Sequence, residues 1–367
     1  MAGSSFGTIF KITTWGESHG CALGVVIDGC PAGLPLSEED IQTYLDRRKP
    51  GTNAIATPRK EEDLVEILSG VFEGKTTGTP ISLMVRNTSQ ISKDYSEIAT
   101  CYRPGHADYT YDKKYGFRDY RGGGRSSGRE TVGRVAAGAV ACKLLKELGV
   151  TVCAYTRSIG SIEADMRKFD PAAIYSTPTA MPDAAASDAA VSYLEQAKKA
   201  CNSVGGCMEC IVEGLPAGIG DPVFEKLDGN LAKAVMSIGA VKAVEIGDGY
   251  MVSSRFGNEN NDAFLMQDGQ LRKATNHAGG ILGGISDGST VVVRAHVKPT
   301  PSIYMTQHTV NQSGENVSLS IKGRHDPIIV PRAVVVMECM VALTVLDAML
   351  INMSAKLDSL IDFYGKK

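Results

Sequence analysis

Residues 118–134 read RDYRGGGRSSGRETVGR. Five arginines (Arg118, Arg121, Arg125, Arg129 and Arg134), three consecutive glycines from Gly122 to Gly124 and the pair Ser126-Ser127 run straight into a helical pattern. Glycine lets the backbone approach a ligand closely and adopt positive φ. A helix start offers unpaired N–H groups and the positive end of a dipole. Arginine adds a forked donor that stays charged. Together these features describe a site for a multiply anionic small molecule, with a solvated flexible loop as the plain alternative on composition alone.

Working outward, the apolar residues Val132, Val135, Ala136, Ala139, Val140 and Leu144 recur at helical spacing from Glu130, and Gly149 offers a cap. Upstream, Ser37-Glu38-Glu39-Asp40 resembles a capping box for a helix that should stop near Arg48, before Pro50-Gly51. Ser187 is expected to cap a helix to about Cys201, and Asp221-Pro222 to open one reaching about Ser237. Residues 332–353 are apolar on most faces, which predicts a helix buried in a core or a subunit interface. Strands are predicted at 24–28, 81–87, 151–156, 208–213, 241–246, 290–298 and 316–322, with a hairpin turn between Ile67 and Ile81. Strands and helices do not alternate strictly. The fold class is therefore read as α+β, with largely antiparallel sheets and helices packed between or against them. The Pro/Ala/Ser-rich stretch 171–190 reads as an exposed excursion.

Composition narrows the function. The 367 residues are 43% hydrophobic and 22% charged, ordinary for a soluble globular chain, and nothing divides them into separate domains. The net charge of −3 and the 6% of aromatic residues argue against an RNA-binding module built on the arginine–glycine stretch, and against nucleic acid partners generally. No secretory signal opens the sequence, and Glu338 interrupts the longest apolar run, so we expect a cytoplasmic protein without a membrane span. The nine cysteines form no paired framework. Cys207 and Cys210 make a single C-x-x-C without a second pair, which fits reduced, buried thiols better than a metal site.

Four of the six histidines lie in polar or glycine-framed segments: His19 in WGESHG, His106 in RPGHADYT, His277 in NHAGG and His325 in GRHDP. Histidine exchanges protons near neutral pH, and His19 and His106, pressed between small residues, are candidate catalytic groups. Ser18 and His19 are adjacent, and neighbours in a strand or loop point apart, so a direct Ser–His pair is not expected. Gly70 to Thr76 falls one residue short of a phosphate-wrapping loop, and the arginine stretch fails the dinucleotide-binding pattern. The segment Lys298-Pro299-Thr300-Pro301-Ser302 ends a predicted strand, where a lysine and hydroxyls could hold phosphate.

These segments in order, with DGCPAGLPL, DRRKPG, VEIGDG, KPTPS and KGRHDP among them, resemble the chorismate synthases over nearly the whole chain. The resemblance implies a layered β-α-β sandwich, helices between two antiparallel sheets, assembled as a homotetramer. It implies trans-1,4-elimination of phosphate from 5-enolpyruvylshikimate 3-phosphate to give chorismate, with reduced FMN required but not consumed. By resemblance, Arg48, Arg134 and Arg324 contact the substrate, and His19, assisted by Ser18, protonates the leaving phosphate. His106 sits by the flavin, and Asp326 relays a proton from it. Arg125, Ser126, Ser127, Gly239, Ala240, Gly283, Lys298, Pro299, Thr300, Pro301 and Ser302 hold FMN, with Arg324 beside them. Asn53-Ala54-Ile55-Ala56 stand where many members carry a basic residue, which weakens a second phosphate or NADP(H) contact there; some members reduce their own flavin with NADPH, but this chain shows no extra segment for it, so an external flavin reductase is expected. The rival within enzymes is a true flavin oxidoreductase acting on an anionic substrate.

Overall fold

The computed structural model describes residues 3–49, 62–87, 99–120, 122–321 and 326–365. Its first sheet contains β1 (Ser5–Phe6), β2 (Lys11–Gly16), β3 (Ala22–Asp28) and β4 (Val65–Ser69), then β7 (Ile81–Arg86) after the small hairpin β5–β6 (Val71–Phe72, Lys75–Thr76). Their order is β1-β2-β3-β7-β4. The second sheet, ordered β11-β16-β10-β8-β9, is built from β8 (Thr151–Ile159), β9 (Ile162–Glu163), β10 (Gly206–Glu213), β11 (Val241–Ile246) and β16 (Val291–Val297). Between β11 and β16 lie the hairpins β12–β13 (Phe264–Gln267, Gln270–Lys273) and β14–β15 (Ile281–Leu282, Ile285–Ser286). β17–β18 (Gln307–Val310, Asn316–Leu319) follows β16. Every pairing in the two sheets is antiparallel.

Two helices fill the space between the sheets. α3 (Thr131–Glu147) packs on β3 and β7 of the first sheet. α8 (Val330–Asn352) packs on β8 and β10 of the second, and α3 and α8 lie against each other. The α+β layered sandwich expected from the sequence is what forms. Small residues make the double layer possible: a Cβ on Gly138 of α3 would fall 2.1 Å from the Cβ of Cys339 on α8. The charged residue inside the apolar run is also accounted for. Glu338, 2% exposed, accepts both terminal nitrogens of Arg47 at 2.6 and 2.9 Å and the Ala154 N–H at 3.0 Å. A buried charge needs such partners. α8 is long and apolar enough to cross a membrane, but it is buried from Ala333 to Asp347 inside this chain, so its composition does not require a subunit interface.

Several expectations change at element ends. α1 (Glu38–Arg48) starts and stops as read, with the Asp40 carboxylate accepting the Ser37 N–H at 2.9 Å. Between α1 and α3 lies the short α2 (Asp108–Tyr115), which the sequence reading did not include. α4 (Pro171–Ser176) and α5 (Ala184–Lys199) occupy the stretch expected to be an excursion, which instead folds back: Met181 and Thr179 are wholly buried. Asp183, not Ser187, caps α5, because its carboxylate accepts from both Ala185 and Ala186; Ser187 is buried and bonded to Thr179. α6 (Leu227–Met236) begins six residues after Asp221, since Val223 takes φ 70 and cannot continue a helix. α7 (Gly257–Asn260) and α9 (Leu357–Tyr364) complete the chain order.

Candidate active site

The turn joining β2 to β3 carries Ser18 and His19. Gly20 N donates to Glu17 O at 3.1 Å, making Ser18 and His19 the two central residues of a four-residue turn. In that geometry their side chains converge, and Ser18 Oγ lies 3.1 Å from His19 Nδ1. This corrects the expectation of divergent side chains, which holds for extended backbone but not for a turn. Ser18 is 9% exposed and His19 half-buried.

The arginine–glycine stretch is brought against this turn. A Cβ on Gly122 would sit 2.4 Å from His19 Nδ1, 2.5 Å from its Cε1 and 2.9 Å from Ser18 Oγ, so no other residue leaves room for the imidazole. Arg125 binds the stretch to β2: its guanidinium donates to Gly16 O at 3.0 Å and to Thr14 Oγ1 at 2.7 Å. Ser126 Oγ donates to Gly123 O at 2.6 Å, and the Ser127 hydroxyl accepts the Arg129 N–H at 3.3 Å.

Behind the stretch lies a buried ion cluster. Asp63, with its side chain wholly buried, receives Arg48 at 2.8 Å and Arg129 at 2.7 Å on its two oxygens. Burial opposes ionisation of Asp63, but Arg48 and then Arg129 outweigh it and hold the carboxyl below the usual range. Burial also pulls the Arg48 guanidinium downward, with Asp63 opposing. Among the described residues, the buried Arg48 Nε has no hydrogen-bond partner. Arg134 is held by Glu130 at 2.8 Å and by Ser237 Oγ at 2.6 Å.

A second group of residues forms around His106. Arg103 grips Asp108 with Nε and Nη2, both at 2.7 Å, bracing the loop that presents His106. Lys298 Nζ donates to Gly105 O at 2.7 Å, Pro301 packs where a Gly105 side chain would be, and Ser302 Oγ lies 2.7 Å from His106 Nε2. Lys298 N donates to Ala240 O at 2.9 Å, and Ala240 holds φ 73, a conformation strained for any residue with a Cβ. Burial, helped by the nearby charge of Lys242, lowers the Lys298 pKa. Ser203 Oγ donates to Thr300 O at 2.6 Å, and Val204 N to Pro327 O at 2.9 Å, which brings the chain at Asp326 to the same region. Asp326 is paired with Arg332 at 2.6 Å, and Arg332 Nε reaches Arg48 O at 3.1 Å. The two groups meet through α2: Tyr111, about one turn into the helix that follows His106, has its hydroxyl against Ser126. Burial raises the Tyr111 pKa, with the Ser126 contact opposing.

Of the residues singled out from sequence, Ser18, His19, Ser126, His106, Ser302, Lys298, Ala240 and Asp326 are thus linked contact by contact. Pro299 and Thr300 belong to the same segment, and Gly239 lies beside Ala240 with open space around it. Gly283 lies at the tip of the β14–β15 hairpin, whose Gly284 O accepts from Leu227 at the start of α6. Arg324, His325, Arg121 and residues 50–61 lie outside the described residues. Cys207 and Cys210, three apart on β10, point to opposite faces, and burial pushes Cys207 to about 12 and Cys210 well above its ordinary value. From opposite faces of one strand the two thiols cannot share an ion.

With this geometry in view, comparison with known proteins is decisive. A family model described as chorismate synthase matches residues 10–350. The chain belongs to the chorismate synthase family. It is 64% identical over 366 residues to the chorismate synthase of Agathobacter rectalis, covering all of both chains, and 55% identical over 353 residues to that of Methanocella arvoryzae, covering 95% of each. A crystal structure of a chorismate synthase superposes with a TM-score of 0.77 at 32% identity, covering 97% of this chain and 96% of that one. The chain is a carbon–oxygen lyase of aromatic amino-acid biosynthesis, and its reaction is the elimination of phosphate from 5-enolpyruvylshikimate 3-phosphate to give chorismate.

Proposed function

We propose that this elimination takes place between the Ser18–His19 turn and the His106–Ser302 contact, in a single domain spanning residues 1–367. The observation that carries this reading is a pair of side-chain contacts: Ser18 Oγ lies 3.1 Å from His19 Nδ1 beneath the glycines of the arginine-rich stretch, and Ser302 Oγ lies 2.7 Å from His106 Nε2 beside the Lys298 segment.

The substrate carries two carboxylates and a phosphate, and the arginines supply the matching charge. Arg134, on the first turns of α3, and Arg48, with its unpaired Nε, are the described cations assigned to it; Arg324 would join them. His19 donates a proton to the phosphate as its negative charge develops, and Ser18, bonded to Nδ1, orients the ring for that transfer. Asp326, held by Arg332, accepts the proton released at the other end of the reaction, and His106 stabilises negative charge on the cofactor side.

The segment around Lys298 fits a flavin mononucleotide. Lys298 and Lys242 bring two cations close together for a phosphate, Thr300 Oγ1 is a buried hydroxyl without a partner among the described residues, and the space around Gly239 is open. Bound reduced FMN supplies the electron density that the carbon–oxygen bond needs in order to break, because the hydrogen lost is not made acidic by an adjacent carbonyl. An external flavin reductase would provide the reduced form. Among the described residues, the exposed aromatic and apolar side chains Phe224, Tyr250, Phe256, Phe264, Met266 and Leu271 support burial in a homotetramer, and the net charge of −3 argues against nucleic acid partners.

The test is a pair of variants. His106→Ala is expected to lose most turnover with fold and assembly intact, because a half-buried, glycine-framed histidine contributes little packing. Lys298→Ala is expected to weaken reduced-FMN binding, read by anaerobic fluorescence titration. Wild-type turnover per folded molecule for the first, or unchanged flavin affinity for the second, would remove these residues from the site.

A further inference from the structure

We infer that Asn87 is a positioning residue for His19, coupling the buried arginine cluster to the turn that delivers the proton. The inference rests on the reading of His19 as proton donor and adds to it the element that fixes the imidazole in place.

Asn87 follows the last residue of β7, and its backbone N–H continues the pairing with β3 by donating to Cys21 O at 3.0 Å. Its side chain enters the β2–β3 connection. Nδ2 donates to Gly20 O at 2.7 Å and to Glu17 O at 3.1 Å, so one amide holds both ends of the turn whose central residues are Ser18 and His19. Oδ1 accepts from Arg129 Nε at 2.6 Å. The amide orientation follows from its partners, since carbonyls only accept and a guanidinium only donates. Arg129 is fixed in turn by Asp63, which also holds Arg48. The side chains of Arg129, Asp63 and Arg48 are 11%, 0% and 4% exposed, so the anchor is rigid and shielded from salt.

The turn itself has little intrinsic stiffness. It is bounded by Gly16, at φ 87, and Gly20. Gly122 closes against one side of the ring by contact. Ser18 Oγ meets Nδ1 of the ring, and Asn87 fixes the backbone from which both side chains project. A displacement of the imidazole by about 1 Å is enough to cost about a hundredfold in rate when a proton must be delivered along a fixed line.

Two variants separate positioning from charge and from folding. Asn87→Ala removes all three side-chain bonds. Asn87→Asp keeps the volume and strengthens the bond to Arg129, but turns a carboxylate oxygen toward the two carbonyls. Both are expected to lower kcat at least tenfold, to leave KM for 5-enolpyruvylshikimate 3-phosphate within about threefold, and to shift the kcat–pH profile, because the proton donor is what moves. Thermal midpoint and reduced-FMN affinity, measured on the same samples, are expected to stay near wild type for Asn87→Asp. A folded variant with wild-type kcat, a loss confined to KM, or a kcat loss that leaves the pH profile unmoved would overturn the inference. His19→Ala, measured alongside, keeps the two failures apart. Retained turnover there refutes the proton-donor reading itself, whereas inactive His19→Ala beside fully active Asn87 variants refutes only the role of Asn87.

Discussion

Gly122→Ala is the smallest change that tests whether the arginine–glycine stretch shapes the catalytic turn. The added methyl would lie 2.4 Å from His19 Nδ1 and 2.5 Å from Cε1, where real carbon contacts begin near 3.4 Å. About 1 Å of movement is therefore required of either the ring or the stretch. The stretch is restrained by the Arg125 bonds to Gly16 and Thr14, so the ring and its partner Ser18, 2.9 Å from the new methyl, take most of the displacement. A shift of that size in a proton donor costs about a hundredfold in kcat, equivalent to about 2.7 kcal/mol of barrier. Gly122 is not held at positive φ, so alanine brings no backbone strain that would confuse the result. Gly128→Ala is the internal control: it belongs to the same segment, but nothing lies within 4 Å of its added methyl, and near-wild-type turnover is expected. The assay is steady-state chorismate formation with reduced FMN under anaerobic conditions, with circular dichroism to confirm folding. A folded Gly122→Ala enzyme with kcat within threefold of wild type would refute the packing argument.

Two further predictions concern stability. Asp63→Asn leaves two buried arginines facing a neutral amide, and removing one partner of a buried ion pair costs about 3 to 5 kcal/mol in urea denaturation at pH 7. Because folding lowers the Asp63 pKa, its contribution is complete above the unfolded carboxylate value of about 4 and is lost as pH falls through the lower folded value. The difference between wild type and variant should therefore shrink at low pH; a gap that is constant with pH would contradict the ionised pairing. Gly138→Ala should destabilise by about 1 to 3 kcal/mol even though alanine favours helices by about 1, since its methyl would meet Cys339 at 2.1 Å; a raised melting temperature would mean that α3 and α8 do not approach as described.

The sequence was most legible where a local rule acts alone. α1, α3 and α8 were readable from caps and apolar period, and second-sheet strands from β-branched, alternating runs such as Val291–Val297. β2 escaped notice because its inward face includes a polar residue: Thr14 is buried, with its hydroxyl donated to Glu130 116 positions away, while Trp15 faces outward. Helix starts at α5 and α6 moved because competing caps and a left-handed Val223 are decided by tertiary contacts. At the site, the glycine-framed histidines and KPTPS stood out by composition. Asp63, Asn87 and Arg332 did not, since each acts through partners that only folding brings near: Arg129 lies 66 positions from Asp63 and 42 from Asn87, and the Arg332 contact with Arg48 spans 284. Tyr111 was hidden in a tyrosine-rich stretch whose helical face could not be assigned without Ser126 opposite it.

The most direct measurement of the central claim is an anaerobic assay with 5-enolpyruvylshikimate 3-phosphate and dithionite-reduced FMN, following chorismate absorbance, phosphate release and flavin absorbance together. The account predicts equal amounts of chorismate and phosphate, flavin still reduced at the end, and no turnover with oxidised FMN. Flavin oxidation in step with product would indicate an oxidoreductase, and absence of product from folded enzyme would contradict the assignment of this site to the elimination.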